Sequence, residues 1–142
     1  MAKTDGAPGF SLPIRVYYED TDSGGLVYYA NYLKFMERTR TEWLRSLGFE
    51  QDELRQDQGL LFAVRRAEID YHKPAMFNDL LRVTADLSGS GGASLEFEHR
   101  VLREAGGTLC CHGRVKVACI NEKTLRPQRI PDKLLAEIVD VL

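Results

Sequence analysis

Two aspartates, Asp20 and Asp22, follow an apolar run from Ile14 to Tyr18 and precede a glycine pair, Gly24 and Gly25. A long amphipathic stretch begins near Tyr28. Acids at such a strand-turn-helix corner sit close to the unpaired N–H donors of a helix start, where the helix also carries partial positive charge. Asp22 lies six or seven residues before the expected helix, close enough for the chain to fold back. It could attack a carbonyl held on those donors, or activate a water that does. One backbone donor to a developing oxyanion is typically worth about 2.7–4 kcal/mol. Gly24 and Gly25 would let the backbone come close to a substrate.

Three other readings compete for the same residues. Acids followed by serine and glycine are common in turns, where their side chains bond nearby backbone N–H groups. A calcium loop starting at Asp20 would have Asp22 and Gly25 in place. It would put Gly24 at a ligand position and Asn31 where a bidentate carboxylate is required. An aspartyl phosphotransferase also uses two aspartates one residue apart. Those enzymes sit on alternating strand-helix folds, whereas this chain reads as a meander of strands.

The elements that must position the acids are legible. Ile14 to Tyr18 reads as a first strand. Tyr32, Met36, Thr39, Trp43 and Leu47 form one stripe of a helix from about Tyr28 to Leu47, with Leu33, Arg40 and Leu44 flanking it. Gly48 is its expected stop. Gln51 to Gln58 is polar, a short helix or loop. Four strand patterns follow. In the first, Leu60 to His72, the apolar parity switches at Arg65-Arg66, which predicts a bulge. The second carries Leu81, Val83, Ala85 and Leu87, with a turn over Gly89 to Gly92. The third carries Leu95, Phe97 and Val101 with His99 on the apolar parity, and Ala105-Gly106-Gly107 signals a hairpin to the fourth. Pro131 to Leu142 reads as a closing helix. Strand, long helix, four strands and a short helix make an α+β domain over residues 14–142, behind a flexible tail at 1–13. One helix covers only part of a five-stranded sheet, so a second copy is the simple partner for what remains exposed.

Composition narrows the function. The chain has 142 residues, 44% hydrophobic and 28% charged, enough for one domain with a core. A net charge of -2 gives no electrostatic case for nucleic acid or an anionic membrane. No apolar run approaches a membrane span. Cys110, Cys111 and Cys119 lack metal-ligand spacing and read as free thiols of a reducing compartment, which places the protein in the cytoplasm. Cys111 and His112 are strand neighbours that face opposite ways, so they do not make a catalytic pair. His72, His99 and His112 lie on separate strands without ligand spacing, and no metal is expected.

The run RVYYEDTDSGGLVYYANYLKFMERTRTEWLRSLG, Arg15 to Gly48, resembles the 4-hydroxybenzoyl-CoA thioesterase branch of the hotdog-fold superfamily. It is most similar to the Tol–Pal-associated acyl-CoA thioesterase group. Phe62 to Leu81 and Gly92 to Glu104 extend the resemblance over nearly all of the chain beyond the tail. The resemblance implies a hotdog fold, a five-stranded, mainly antiparallel sheet wrapped around one long helix. It implies a homodimer with interface active sites, often paired again as a homotetramer, and no metal or bound cofactor, CoA being part of the substrate. It implies hydrolysis of an acyl-CoA thioester, with an acyl carrier protein open as an alternative donor. Asp22 takes the place of the family's catalytic aspartate, as nucleophile or general base. Tyr29 takes the place whose backbone N–H holds the thioester oxygen. Many members of the group have histidine there. Tyrosine, with an ordinary pKa near 10, is a poor base at neutral pH. The family's basic residues after the third strand are also missing from Ser88 to Ala93, where the N–H groups of Gly91, Gly92 and Ala93 could form an anion nest instead. Gly25, Leu26, Tyr28 and His72 are further candidate substrate contacts. The rival to an enzyme is an acyl-CoA-binding or scaffold protein on the same fold.

Overall fold

The computed structural model describes residues 9–139. Five strands, β1 (Phe10–Arg15), β2 (Leu60–Tyr71), β3 (Leu80–Ser90), β4 (Ser94–Arg103) and β5 (Leu109–Asn121), form one sheet. Its order is β1-β3-β4-β5-β2, and every neighbouring pair is antiparallel. Three helices accompany it, α1 (Asn31–Ser46), α2 (Gln51–Gln58) and α3 (Asp132–Val139). Long helix against five-stranded antiparallel sheet is the hotdog arrangement expected from the sequence. Among the described residues no helix is long and apolar enough to cross a membrane.

The first strand lies earlier than its composition suggests. Phe10 to Pro13, expected in the tail, pair with Ala85 to Arg82 of β3. Pro13 is tolerated because β1 is an edge strand. Tyr18, expected to end the strand, instead opens a 3-10 turn over Tyr18–Asp20. Residues 1–8 of the expected tail and 140–142 of the expected closing helix lie outside the described residues. The parity switch in β2 is a register shift between Val64 and Arg66 against β5. β3 runs through Gly89 to Ser90 by means of a similar shift, leaving Gly91 to Ala93 as the turn.

Tyr32, Phe35, Met36, Thr39, Trp43 and Leu44 bury the inner face of α1. They pack with Leu81, Val83, Leu95 and Phe97 in one core. Each such apolar side chain contributes about 1.5–3 kcal/mol when fully buried. Gly113 of β5 admits α1 closely, since a Cβ there would lie 2.8 Å from the Met36 methyl.

One polar pair interrupts this core. His99 of β4 is fully buried, with Nδ1 2.8 Å from the Thr84 carbonyl and Nε2 3.1 Å from Arg40 Nη1. Burial, helped by the charge of Arg40, pulls the His99 pKa down to about 4. The ring is therefore neutral near pH 7, donating from Nδ1 to Thr84 and accepting at Nε2 from Arg40. Its folded pKa lies below the ordinary 6.5, so the associated stability is full above pH 6.5 and is lost as pH falls toward about 4. Urea unfolding across that window should show the native chain losing about 3 kcal/mol more than a His99→Gln variant.

Candidate functional site

The two aspartates have different surroundings. Asp20 is buried, and its Oδ2 accepts the Tyr17 N–H at 2.9 Å. Its carbonyl accepts from the Tyr28 N–H at 2.9 Å and from Asn31 Nδ2 at 2.8 Å, tying the turn to the start of α1. Asp22 is exposed. Its Oδ1 accepts the N–H groups of Gly24 and Leu26 at 2.9 and 3.2 Å. The turn role open to acids in such a motif is thus filled by one oxygen of Asp22. Its Oδ2 accepts no hydrogen bond from the described residues. Gly25 closes this turn at φ +81°, a conformation that favours glycine.

The loop is stitched to the end of β2 and beyond. Phe77 N–H donates to the Gly25 carbonyl at 3.0 Å, and Val27 N–H to the Ala75 carbonyl at 2.9 Å. From α1, the Tyr32 hydroxyl accepts the Ala75 N–H at 3.0 Å. The Tyr71 hydroxyl donates to the Tyr29 carbonyl at 3.0 Å.

The helix begins later than the periodicity suggests. Asn31 is its first residue, and Tyr28 to Asn31 form a turn closed by Asn31 N–H on the Tyr28 carbonyl at 2.8 Å. Ala30, at φ -74° and ψ -18°, gives this turn a type I shape, with Tyr29 at its second position. Tyr29 therefore lies two residues ahead of α1 rather than in its first turn. Its N–H donates to no group among the described residues. Ala30 supplies no side-chain cap, and no acid lies in the first turn of α1. The positive end of the helix is left without an anionic neighbour of its own.

Asp22, Leu26, Tyr28, Tyr29 and His72 line one groove of about 430 Å³. Tyr32, Tyr71 and Lys73 line it as well, and sequence reasoning did not select them. For Tyr71 and Lys73 the signal was proximity in the chain, since they flank His72. The Tyr29 side chain is 62% exposed, and its ring lies 4.8 Å from that of Tyr28. The Tyr29 phenol raises the Tyr28 pKa above its ordinary value, and burial raises those of Tyr32 and Tyr71. None of these three is a base at neutral pH. Burial likewise pushes the Cys111 thiol up to about 12 and Cys119 up to about 11, so neither is a ready nucleophile.

Gly91, Gly92 and Ala93 are not brought to this groove within one chain. Gly25 bonds beside Phe77, near the start of β3, whereas the glycine turn caps its far end, on the order of 30 Å away. The Gly91 N–H is also already spent on the Ser94 carbonyl at 2.9 Å, which closes the β3–β4 hairpin.

The model of the thioesterase-like superfamily matches residues 16–138. The chain belongs to that superfamily. The acyl-CoA thioesterase YbgC of Haemophilus influenzae is 45% identical to the chain over 128 residues, covering 90% of this chain and 93% of that one. The acyl-CoA thioester hydrolase YbgC of Escherichia coli O6:H1 is 39% identical over 128 residues, covering 90% and 94%. A probable thioesterase from Bartonella henselae superposes with a TM-score of 0.79 at 36% identity, covering 85% of this chain and 98% of that chain.

Proposed function

We propose that the protein is an acyl-CoA thioesterase in which Asp22 is the nucleophile or general base and the Tyr29 N–H is the oxyanion donor. The observation that carries this reading is the pairing, in one groove, of a carboxylate with a free oxygen and an unpartnered backbone donor beside an uncapped helix end. The thioester oxygen sits on the Tyr29 N–H, and the carbonyl carbon faces Asp22 Oδ2. Negative charge that develops on the oxygen is then met by an N–H that needs no reorganisation. Oδ2 either adds to the carbon, giving an anhydride that water opens, or takes a proton from the attacking water. Either route expels the CoA thiol and leaves a free acid. No bound cofactor or metal enters the scheme.

The apolar rim of Leu26, Tyr28 and Tyr71 suits an acyl group, and His72 and Lys73 stand at its edge. The names of the YbgC relatives support CoA as the carrier. A second copy of the chain is the natural cover for the exposed side chains of Tyr29, Tyr71 and Val64 and for the outer edge of β2. The three buried free thiols suit a reducing, cytoplasmic setting.

Release of CoA thiol from a panel of short aliphatic, long aliphatic and aromatic acyl-CoA thioesters tests the proposal. Sustained turnover of at least one member is expected. Binding of acyl-CoA without any CoA release would instead assign the chain as a carrier or scaffold.

A further inference from the structure

The turn that carries Asp22 hangs on a distant part of the chain. Val27 N–H donates to the Ala75 carbonyl at 2.9 Å, Phe77 N–H donates to the Gly25 carbonyl at 3.0 Å, and Leu26 bridges Met76 between them. Leu26 in turn meets Asp22 twice. Its carbonyl accepts the Asp22 N–H at 2.8 Å, and its own N–H donates to Asp22 Oδ1 at 3.2 Å. The place of the carboxylate is therefore set by Ala75 to Phe77, in the loop that joins β2 to β3.

That loop is braced from the sheet by Arg103, the last residue of β4. Arg103 Nε donates to Asp79 Oδ2 at 3.2 Å, and its Nη2 donates to the Pro74 carbonyl at 2.8 Å. Asp79 Oδ2 also accepts the Met76 N–H at 2.9 Å, and the Asp79 N–H closes a turn on the Met76 carbonyl at 3.0 Å. Asn78 sits inside that turn at φ +72°, a conformation asparagine tolerates. Among the described residues, Arg103 is the one strand side chain that bonds both ends of Pro74–Asp79. Its own main chain is fixed, since its N–H donates to the Thr108 carbonyl at 2.8 Å. The side chains of Arg103 and Asp79 are 29% and 23% exposed, so solvent screens this pair less than a surface ion pair. A planar guanidinium spans two acceptors at once, which an ammonium does not. Neither Arg103 nor Asp79 lines the groove of Asp22.

We infer that Arg103 and Asp79 are positioning residues for the reaction. Through Pro74 and Met76 they fix the segment on which the Asp22 turn hangs, and so hold Oδ2 against the thioester carbon. The inference rests on Asp22 as the reacting carboxylate. A displacement of about 1 Å, passed on from a residue away from the chemistry, can cost about a hundredfold in rate.

The test is a double-mutant cycle on the full-length protein, with the acyl-CoA thioester that the native chain turns over fastest. Arg103→Gln should lower kcat by about tenfold to a hundredfold. kcat/KM should fall in step, leaving KM near that of the parent, because ground-state binding does not depend on the aim of Oδ2. Arg103→Lys should be intermediate, since it keeps the charge but reaches one acceptor at a time. In an Asp22→Asn background the Arg103→Gln change should cost less than about twofold, because the group it aims is already gone. A smaller folded fraction would instead slow both backgrounds alike, so equal losses overturn the inference. Native turnover in Arg103→Gln, with Asp22→Asn slow, overturns it while leaving the catalytic reading standing. Native turnover in Asp22→Asn overturns that reading and this inference together. Should Arg103→Gln fail to fold, the same cycle with Arg103→Lys decides.

Discussion

An Asp22→Asn enzyme is expected to release CoA about 10²–10⁴-fold more slowly than its parent, the usual contribution of a positioned acid–base group. The substitution is informative because of how the carboxylate is held. Oδ1 accepts the Gly24 and Leu26 N–H groups, and an asparagine carbonyl oxygen can keep both bonds. Only Oδ2 changes, from an anionic oxygen to an amide nitrogen that can neither attack a carbonyl nor take up a proton. The turn, the groove and acyl-CoA affinity should therefore persist. Steady-state kcat together with direct acyl-CoA binding reads the two effects separately. Unaltered turnover in this variant would remove Asp22 from the chemistry.

Tyr29→Pro is expected to lower kcat by about 10²–10³-fold, while Tyr29→Phe stays near the parent rate. Proline is an extreme substitution at most positions, but Tyr29 is the second residue of a type I turn, where proline is favoured. The native N–H donates to nothing among the described residues, so its removal breaks no internal bond. What disappears is the donor assigned to the thioester oxygen. Thermal unfolding of the two variants should be similar, which separates loss of the donor from loss of the fold. A fast proline variant, or a phenylalanine variant slowed a hundredfold, would move the role from the main chain to the phenol.

Much of this site could be read from the sequence because its parts are local. The parity switch at Arg65-Arg66 announced the shift in β2, and the stripe through Met36, Thr39 and Trp43 announced the buried face of α1. The boundaries failed where local dihedrals or composition mislead. Ala30 has helical angles while belonging to the turn before α1, so periodicity ran the helix back to Tyr28. Tyr17 and Tyr18 look like strand residues, yet the Asp20 carboxylate draws the chain into a 3-10 turn beside them. Pro13 made a paired strand look like a tail. Tyr71 and Lys73 went unnoticed because their place in the groove depends on the end of β2 meeting a loop some forty residues earlier, as in the 3.0 Å bond from Tyr71 to Tyr29. Arg40 was visible only as a flanking residue. Its inward course depends on His99, whose apolar parity was the one hint.

The alanine at position 30 carries a consequence for engineering. Aspartate there would be the obvious improvement to a designer of robust proteins, setting a negative charge at the open, positive end of the rod, worth about 0.3–1 kcal/mol. The same charge would stand next to the Tyr29 amide and oppose the negative oxygen assigned to it. A library selected for heat resistance should thus enrich aspartate, and one selected for turnover should discard it. The two screens would pull this single codon in opposite directions.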